Sequence, residues 1–333
     1  MSKSNITALV AIPSAIQLLF CVVVLRVFYK VRSLRTSANY PIINLIASDF
    51  LRGVVGFLAI TSFFGSRAET ISELSSMDII LCRTVGFCNN VQLAWSSWAI
   101  ATVSYSRSDV IVNVLSPTFT KKRFWMVSVI SWIGTLTTAL PLLGPWSSYG
   151  HVRSKSNNGY VCRAGGDGDG LLHALYLPSF YFINFLLPTF LVILFFSRIV
   201  RTVQHQKLLE RSGRSNVVML SNFSMTGESA QQPSMARQLN VIIRSKAFIY
   251  TVVIIITNLV FSFPYVVVQA YTAVVAELGL DHLQLEDAAF QVTTIFFTLN
   301  FNINSLLYIF WIKTFQQTAA AMCPCLRRRV GNQ

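Results

Sequence analysis

CRTVGFCNNVQLAWSSWAIATVSYSRSD, residues Cys82 to Asp109, is the stretch whose reading decides the fold. After Arg83 no charge appears until Arg107, which leaves residues 84–106 uncharged. As an α-helix rising about 1.5 Å per residue, that run is about 34 Å long, enough to cross the hydrocarbon core of a bilayer. Its interior nevertheless carries Asn89, Asn90, Gln92, Ser96, Ser97 and Ser104. Polar groups at membrane depth are costly unless protein or water satisfies them. A segment apolar enough to insert, yet polar along its length, predicts the central helix of a bundle.

The rest of the chain follows the same pattern. Of its 333 residues 53% are hydrophobic and 12% are charged, against about 25% charged in a soluble domain. Further uncharged runs lie at 4–25, 124–152, 170–197, 247–276 and 288–312, and the run 36–66 is broken only by Asp49 and Arg52. Each is close to or longer than the roughly 20 residues a membrane helix needs. The sequence therefore predicts an all-α membrane protein, one domain over residues 1–322. Its seven transmembrane helices are expected at 6–30, 38–64, 79–109, 123–147, 171–200, 238–273 and 286–311. Beyond them Trp311, Phe315, Ala319 and Met322 form an apolar stripe, with Lys313, Gln316 and Gln317 off it. That stripe predicts a short amphipathic eighth helix at 312–322 on the inner leaflet, followed by a short cytosolic tail at 323–333.

The formal net charge of +14 raises the question of nucleic acid. With the N-terminus outside, 20 of the 27 basic residues fall in cytosolic segments and six in outer ones. This is the positive-inside bias, so the basicity records topology and contact with anionic lipid. Membrane lipids are expected partners and nucleic acid is not. Seven spans place the C-terminus in the cytosol.

Asp49 is the only acid inside a span, and an intramembrane acid is by default a functional candidate. Arg52 stands three residues on, on the same helical face. Two readings stay open: an internal Asp49–Arg52 pair that eases the burial of both, or a ligand or ion role. Cys82 and Cys162 share the outer, oxidising side, where disulfides persist. Cys323 and Cys325 follow the last span beside Arg327, Arg328 and Arg329, a setting suited to palmitoylation; free cytosolic thiols are the alternative. Cys21 and Cys88 lie within helices and are expected to pack. Pro178, Pro188 and Pro264 are expected to kink the fifth and sixth helices. The Gly-rich segment 164–170 reads as a flexible connection.

These features resemble the rhodopsin-like (class A) G-protein-coupled receptors over nearly the whole chain. Leu34-Arg35-Thr36, Asn44-Leu45 and Asp49 look like that family's first inner loop and second helix. Cys82 precedes Arg107 by 25 residues, the family's spacing between its disulfide cysteine and the arginine of its Asp/Glu-Arg-Tyr motif. Trp132, Pro188 and Pro264 resemble the marker residues of helices four, five and six. Asn304-Ser305-Leu306-Leu307-Tyr308 resembles Asn-Pro-x-x-Tyr. Pro141 to Tyr149 and Asn39-Tyr40 look opsin-like, which is a weaker resemblance. The family implies a plasma-membrane receptor, with a ligand entering the bundle from outside and a heterotrimeric G protein engaged around Arg107. It implies a disulfide between Cys82 and Cys162 and activation elements at Pro264, Asn304 and Tyr308. By position, the pocket is expected at Arg52, Asn89, Asn90, Tyr265, Gln269, Thr294 and Thr298. No enzymatic activity is implied.

The departures are as informative. The position of the opsin retinal-binding lysine is Thr298, and no lysine lies between Lys246 and Lys313. Covalent retinal on helix seven is excluded, and no cofactor is expected. Ser106 replaces the acid before the arginine, Ser108 the tyrosine after it, Ser305 the helix-seven proline and Phe196 the helix-five tyrosine. With Arg244 at the helix-six position that faces Arg107, the usual restraint on Arg107 is absent or repulsive. Elevated ligand-free signalling is therefore expected. In many members Asp49, Ser96, Asn300 and Asn304 correspond to a sodium site. Here Arg52, at about 5 Å and an effective dielectric of about 20, would repel the ion by roughly 3 kcal/mol. That equals about two orders of magnitude in affinity, so no firm metal site is assigned, and Arg52 is expected to substitute for sodium. The alternative is that Arg52 turns toward the pocket and anchors an anionic ligand. A different class of function, a seven-helix transporter or channel using Asp49 and Arg52, is the rival reading; no internal repeat favours it.

Overall fold

The structure, a computed structural model, describes residues 3–31, 39–64, 76–113, 118–143, 149–153, 160–164, 171–211, 246–277 and 287–311. Seven helical spans follow one another in the chain: α1 (Lys3–Lys30), α2 (Tyr40–Phe64), α3 (Ser76–Val112), α4 (Lys121–Ala139), α5, α6 (Lys246–Glu277) and α7 (Asp287–Trp311). α5 comprises Leu171–Tyr181, a π-helical turn Phe182–Leu186, and Leu187–Arg211. The seven-helix bundle expected from the charge-free runs is the observed architecture. Its eighth helix, the tail with Cys323 and Cys325, and Arg244 lie outside the described residues.

Several boundaries differ from the sequence expectation for physical reasons. The regular part of α4 stops at Ala139 and tightens into a 3-10 turn at Leu140–Leu143, where Pro141 cannot donate the backbone bond that would continue an α-helix. Its start is set by Thr120, whose side chain accepts from the Arg123 backbone N–H at 3.3 Å, an N-cap that satisfies one orphan donor. The π-helical turn of α5 falls just before Pro188, which removes a donor from the helical ladder. A hairpin that the sequence reading left as loop spans β1 (Tyr149–Arg153) and β2 (Tyr160–Ala164). The strands are antiparallel, with Tyr149 opposite Ala164 and Arg153 opposite Tyr160.

α3 packs on α2, α4, α5, α6 and both strands, so the polar helix does occupy the centre. Cys21, Val24, Ile46, Trp95 and Ala99 build one core between α1, α2 and α3. Leu93, Phe180, Phe185, Tyr265 and Phe297 build a second between α3, α5, α6 and α7. α1 approaches α2 over Gly53 and Gly56, where an added Cβ would fall against Leu18 and Ser14 respectively; small residues permit such close helix approach. Large apolar side chains on α4, such as Trp125, Ile130 and Ile133, point outward and are more than half exposed, as befits a lipid-facing surface. Four described segments, within α1, α4, α5 and α6, are long and apolar enough to span by composition alone. α3 dilutes its hydropathy with the polar residues it buries, Asn89, Asn90, Gln92 and Ser96 among them.

Candidate functional site

Cys82 is fully buried and disulfide-bonded. Cys162 sits on β2, opposite His151 in β1, and β2 packs against α3; the Cys162 side chain is outside the described set. Cys21 and Cys88 are free thiols within helices, as their positions suggest.

Between the Cys82 end of the bundle and Asp49 lies Arg52, which is 3% exposed. Its guanidinium donates one hydrogen bond to Asn89 Oδ1 on α3 and a second, of 3.0 Å, to Thr298 Oγ1 on α7. The same guanidinium lies over the Phe297 ring at 4.8 Å, within cation–π range. Phe297 in turn stacks on Tyr265, with ring centres 4.2 Å apart and an interplanar angle of 5°. Thr298 passes its own proton to the Thr294 carbonyl at 2.9 Å, which leaves its oxygen oriented to accept from Arg52. Four of the seven pocket residues expected from sequence thus converge: Arg52, Asn89, Thr298 and Tyr265. Asn90 instead donates to the Gly86 carbonyl on its own helix, and Thr294 to that of Phe290. Gln269 is buried on α6, one turn beyond Tyr265.

This arrangement corrects the expected Asp49–Arg52 pair. Neither Asp49 carboxyl oxygen has a hydrogen-bond partner, and Arg52 turns away from it toward α3 and α7. Shared helical face fixes where two side chains start, and the long arginine chain still chooses its direction. The described hydrogen bonds of Arg52 thus follow the second of the two orientations, toward the pocket.

Asp49 is fully buried, as are Ser96, Asn300 and Asn304. The Asn304 amide faces the Asp49 carboxyl. Gln17 of α1 donates to the Asp49 backbone carbonyl at 2.7 Å, while the Ser96 hydroxyl bonds back to Leu93. Asn300 Nδ2 reaches α6 twice, to Asn258 Oδ1 at 3.0 Å and to Ser262 Oγ at 3.1 Å. Ser262 itself donates to Asn258 Oδ1 at 3.4 Å. The α6–α7 tie so formed starts two residues before Pro264. Sequence reasoning did not single out Asn258 and Ser262, although their four-residue spacing places them on one helical face. It read Gln92 as a polar residue of the central helix but assigned it to no site; among the described residues its two polar side-chain atoms are buried without a hydrogen bond.

At the opposite end, Arg107 is half-buried and donates to Oδ1 of Asn39, the residue before α2, at 3.5 Å. Ser106 is fully buried. Two residues on, Asp109 gathers the connection to α4: Asn113 Nδ2 at 2.7 Å, Thr118 Oγ1 at 2.8 Å and the Phe119 backbone N–H at 2.7 Å all donate to its carboxylate. Burial acts to raise the Asp109 pKa. The hydrogen bonds from Asn113, Thr118 and Phe119 outweigh it and hold the carboxyl below its ordinary value. Pro264 lies within α6. Tyr308 lies on α7, with its side chain outside the described set.

Two grooves of about 470 Å³ lie elsewhere. One runs between α2, α3 and α4 along Tyr40, Asn44, Trp95 and Trp132, and the other between α5 and α6 along Phe196, Arg201 and Ile255. Neither touches the Arg52 cluster. In the first, Asn44 Oδ1 accepts from both indole N–H groups, Trp95 at 3.0 Å and Trp132 at 3.2 Å.

Comparison with known proteins places these features in context. The model of the family described as 7 transmembrane receptor (rhodopsin family) matches residues 21–308. Pineal opsin of Petromyzon marinus is 25% identical over 329 residues, 96% of this chain and 64% of the opsin. Melanopsin-B of Xenopus laevis is 34% identical over 131 residues, 38% of this chain and 23% of its own. The chain spans less than two thirds of the length of these curated relatives. In fold it resembles the crystal structure of squid rhodopsin, with a TM-score of 0.73 and 18% identity, covering 98% of this chain and 87% of that one.

Proposed function

We propose that this chain, which belongs to the rhodopsin family of seven-transmembrane receptors, is a plasma-membrane receptor that binds an extracellular ligand inside the bundle and activates a heterotrimeric G protein. It is a multi-pass membrane protein of a receptor family rather than an enzyme family. In this reading the N-terminus and the hairpin are outside, and the Arg107 end and the C-terminus are cytosolic, as the distribution of basic residues favours. Cys82 pairs with Cys162 across α3 and β2, Cys323 and Cys325 carry palmitate beside the basic tail, and membrane lipids surround α4. Thr298 in place of a lysine leaves the ligand non-covalent.

The observation that carries the reading is Arg107. It stands on the last turns of the central helix, half-buried at the bundle mouth, with the neutral amide of Asn39, just before α2, as one of its hydrogen-bond acceptors. A ligand need only prefer the state in which α6 swings outward below Pro264. That motion opens the Arg107 end for the C-terminal helix of a Gα subunit.

The test is nucleotide exchange on a panel of heterotrimeric G proteins by the full chain in nanodiscs, with ion and solute flux measured in matched liposomes. Exchange above that of empty nanodiscs, lost in Arg107→Ala, supports the receptor reading. Flux without exchange establishes the transporter or channel instead. Ser106→Asp supplies the missing acid beside Arg107 and is expected to lower ligand-free exchange. Mass mapping of the surface-expressed chain is expected to find Cys82 linked to Cys162.

A further inference from the structure

We infer that the ligand recognised inside the bundle is an anion, a small carboxylate carrying an apolar or aromatic body, and that Arg52 is the group that captures it. The inference rests on the receptor reading above and names the chemistry of its ligand site.

The geometry supplies the argument. A guanidinium is a permanent cation with five donors in a planar fork. Arg52 carries it to a place 3% exposed, one helical turn from Asp49, and aims it across the bundle instead of at that acid. Asn89 and Thr298 receive its two described side-chain bonds, and both are neutral. They orient the fork, one from α3 and one from α7. A carboxylate offers two oxygens in the geometry the fork matches bidentately, and charge-assisted hydrogen bonds are about twice as strong as neutral ones. An incoming carboxylate therefore gains by replacing Asn89 and Thr298 as acceptor. Thr298 keeps a local alternative, since it already bonds to the Thr294 carbonyl.

The walls select the rest of the ligand. Phe297 lies beneath the guanidinium, and Tyr265 is stacked on Phe297. Both belong to the apolar cluster that includes Val91, Ala94, Phe180 and Phe185. These side chains are closed on one another, with Phe297 0% and Tyr265 2% exposed, so a molecule whose anionic end meets Arg52 must part them and needs an apolar body to be accepted among them. Tyr265 follows Pro264 directly in α6, so a ligand seated there contacts the helix whose movement the receptor reading requires.

The experiment uses the full chain, purified in nanodiscs, with defined probes: 4-phenylbutyrate and decanoate, each against its own primary amide. Thermal stability and direct binding are read at constant ionic strength. The parent is expected to bind at least one of the acids about tenfold or more tightly than its amide, the difference between a charge-assisted and a neutral pair. Arg52→Lys, which keeps the charge and loses the fork, is expected to weaken that preference several-fold, and Arg52→Gln to abolish it. Equal binding of acid and amide by the parent overturns the inference, as does failure of both acids to bind. Because the first comparison is made on the parent, it stands even if an Arg52 variant misfolds. Nucleotide exchange is measured separately: acid-selective binding without exchange leaves the anion site in place and removes the receptor reading, and exchange without acid selectivity does the reverse.

Discussion

The tie between α6 and α7 sets a measurable restraint on activation. Asn300 reaches Asn258 at 3.0 Å and Ser262 at 3.1 Å. Asn258 lies six residues before Pro264 in α6, in the part of the helix that an outward swing displaces. Asn300→Leu removes both interhelical bonds with little change of volume. Interhelical hydrogen bonds in membrane proteins average about 0.6 kcal/mol, with an upper value of about 1.7. Two of them hold the resting state by roughly 1.2 to 3.4 kcal/mol. If both break on opening, the equilibrium constant for opening rises by about 8-fold at the lower figure and about 300-fold at the upper one. Asn258→Leu removes only one, because Ser262 still accepts from Asn300, so its effect is about 3- to 18-fold. The assay is ligand-free nucleotide exchange in nanodiscs, normalised to folded receptor. Ligand-free exchange is expected to rank Asn300→Leu above Asn258→Leu and both above the parent. Exchange within twofold of the parent in a well-folded Asn300→Leu protein refutes the restraint. So does an equal rise when Asn300→Leu is introduced alone and on the Asn258→Leu, Ser262→Ala background, where no tie remains to be broken.

Three further outcomes follow from other contacts. Asn44→Leu strips the shared acceptor from Trp95 and Trp132 and is expected to destabilise the bundle by about 1 to 4 kcal/mol. The cost should fall below about 0.5 kcal/mol when both tryptophans are phenylalanine, as read by melting with a thiol dye that reports exposure of buried Cys21. Asp109 has a lowered folded pKa, so its stabilising effect is complete above the ordinary carboxylate value of about 3.9 and is lost as pH falls through the folded value. Unfolding curves of the parent and Asp109→Asn should keep a constant offset from pH 7 to about 5 and draw together as pH falls below about 4; an offset that does not narrow on acidification below about 4 contradicts this. With Arg52 turned away from Asp49, replacing choline chloride by sodium chloride is expected to stabilise the parent and not Asp49→Asn, by about 1.4 kcal/mol at ten times the dissociation constant. No sodium effect on the parent would show that the buried charge of Arg52 still excludes the ion.

What the sequence made legible, and what it did not, divides along the distance over which each feature is decided. The central place of α3 could be read because its evidence is local. A 23-residue run without charge, with Asn89, Asn90, Gln92, Ser96, Ser97 and Ser104 among its polar residues, permits few other homes than the middle of a bundle. The presence of the spans was legible for the same reason, but not their ends: regular α4 stops at Ala139 before Pro141, and α5 runs on to Arg211. The contacts of Arg52 were not, because they are decided elsewhere: Asn89 is 37 residues away and Thr298 is 246. Spacing of three places Arg52 and Asp49 on one face, and from that alone a pair is the natural reading. It omits the competition. The Asp49 site offers Arg52 a carboxylate but requires the side chain to fold back along its own helix. The interior offers two oriented neutral acceptors and an aromatic ring at 4.8 Å, reached with the chain extended. Cation–π attraction is worth up to about 2 kcal/mol when desolvated, and hydrogen bonds to a charged group about 1.5 to 3 kcal/mol each. Together they exceed the single Coulomb term of roughly 3 kcal/mol that favoured the pair. Thr298 completes the balance: where an opsin has its lysine, a hydroxyl leaves room for a cation that comes from α2 instead. The two positions are therefore coupled. Thr298→Lys would set a second cation against Arg52, and a chain with a lysine at that position could keep the Arg52 orientation only if an anion sat between the two.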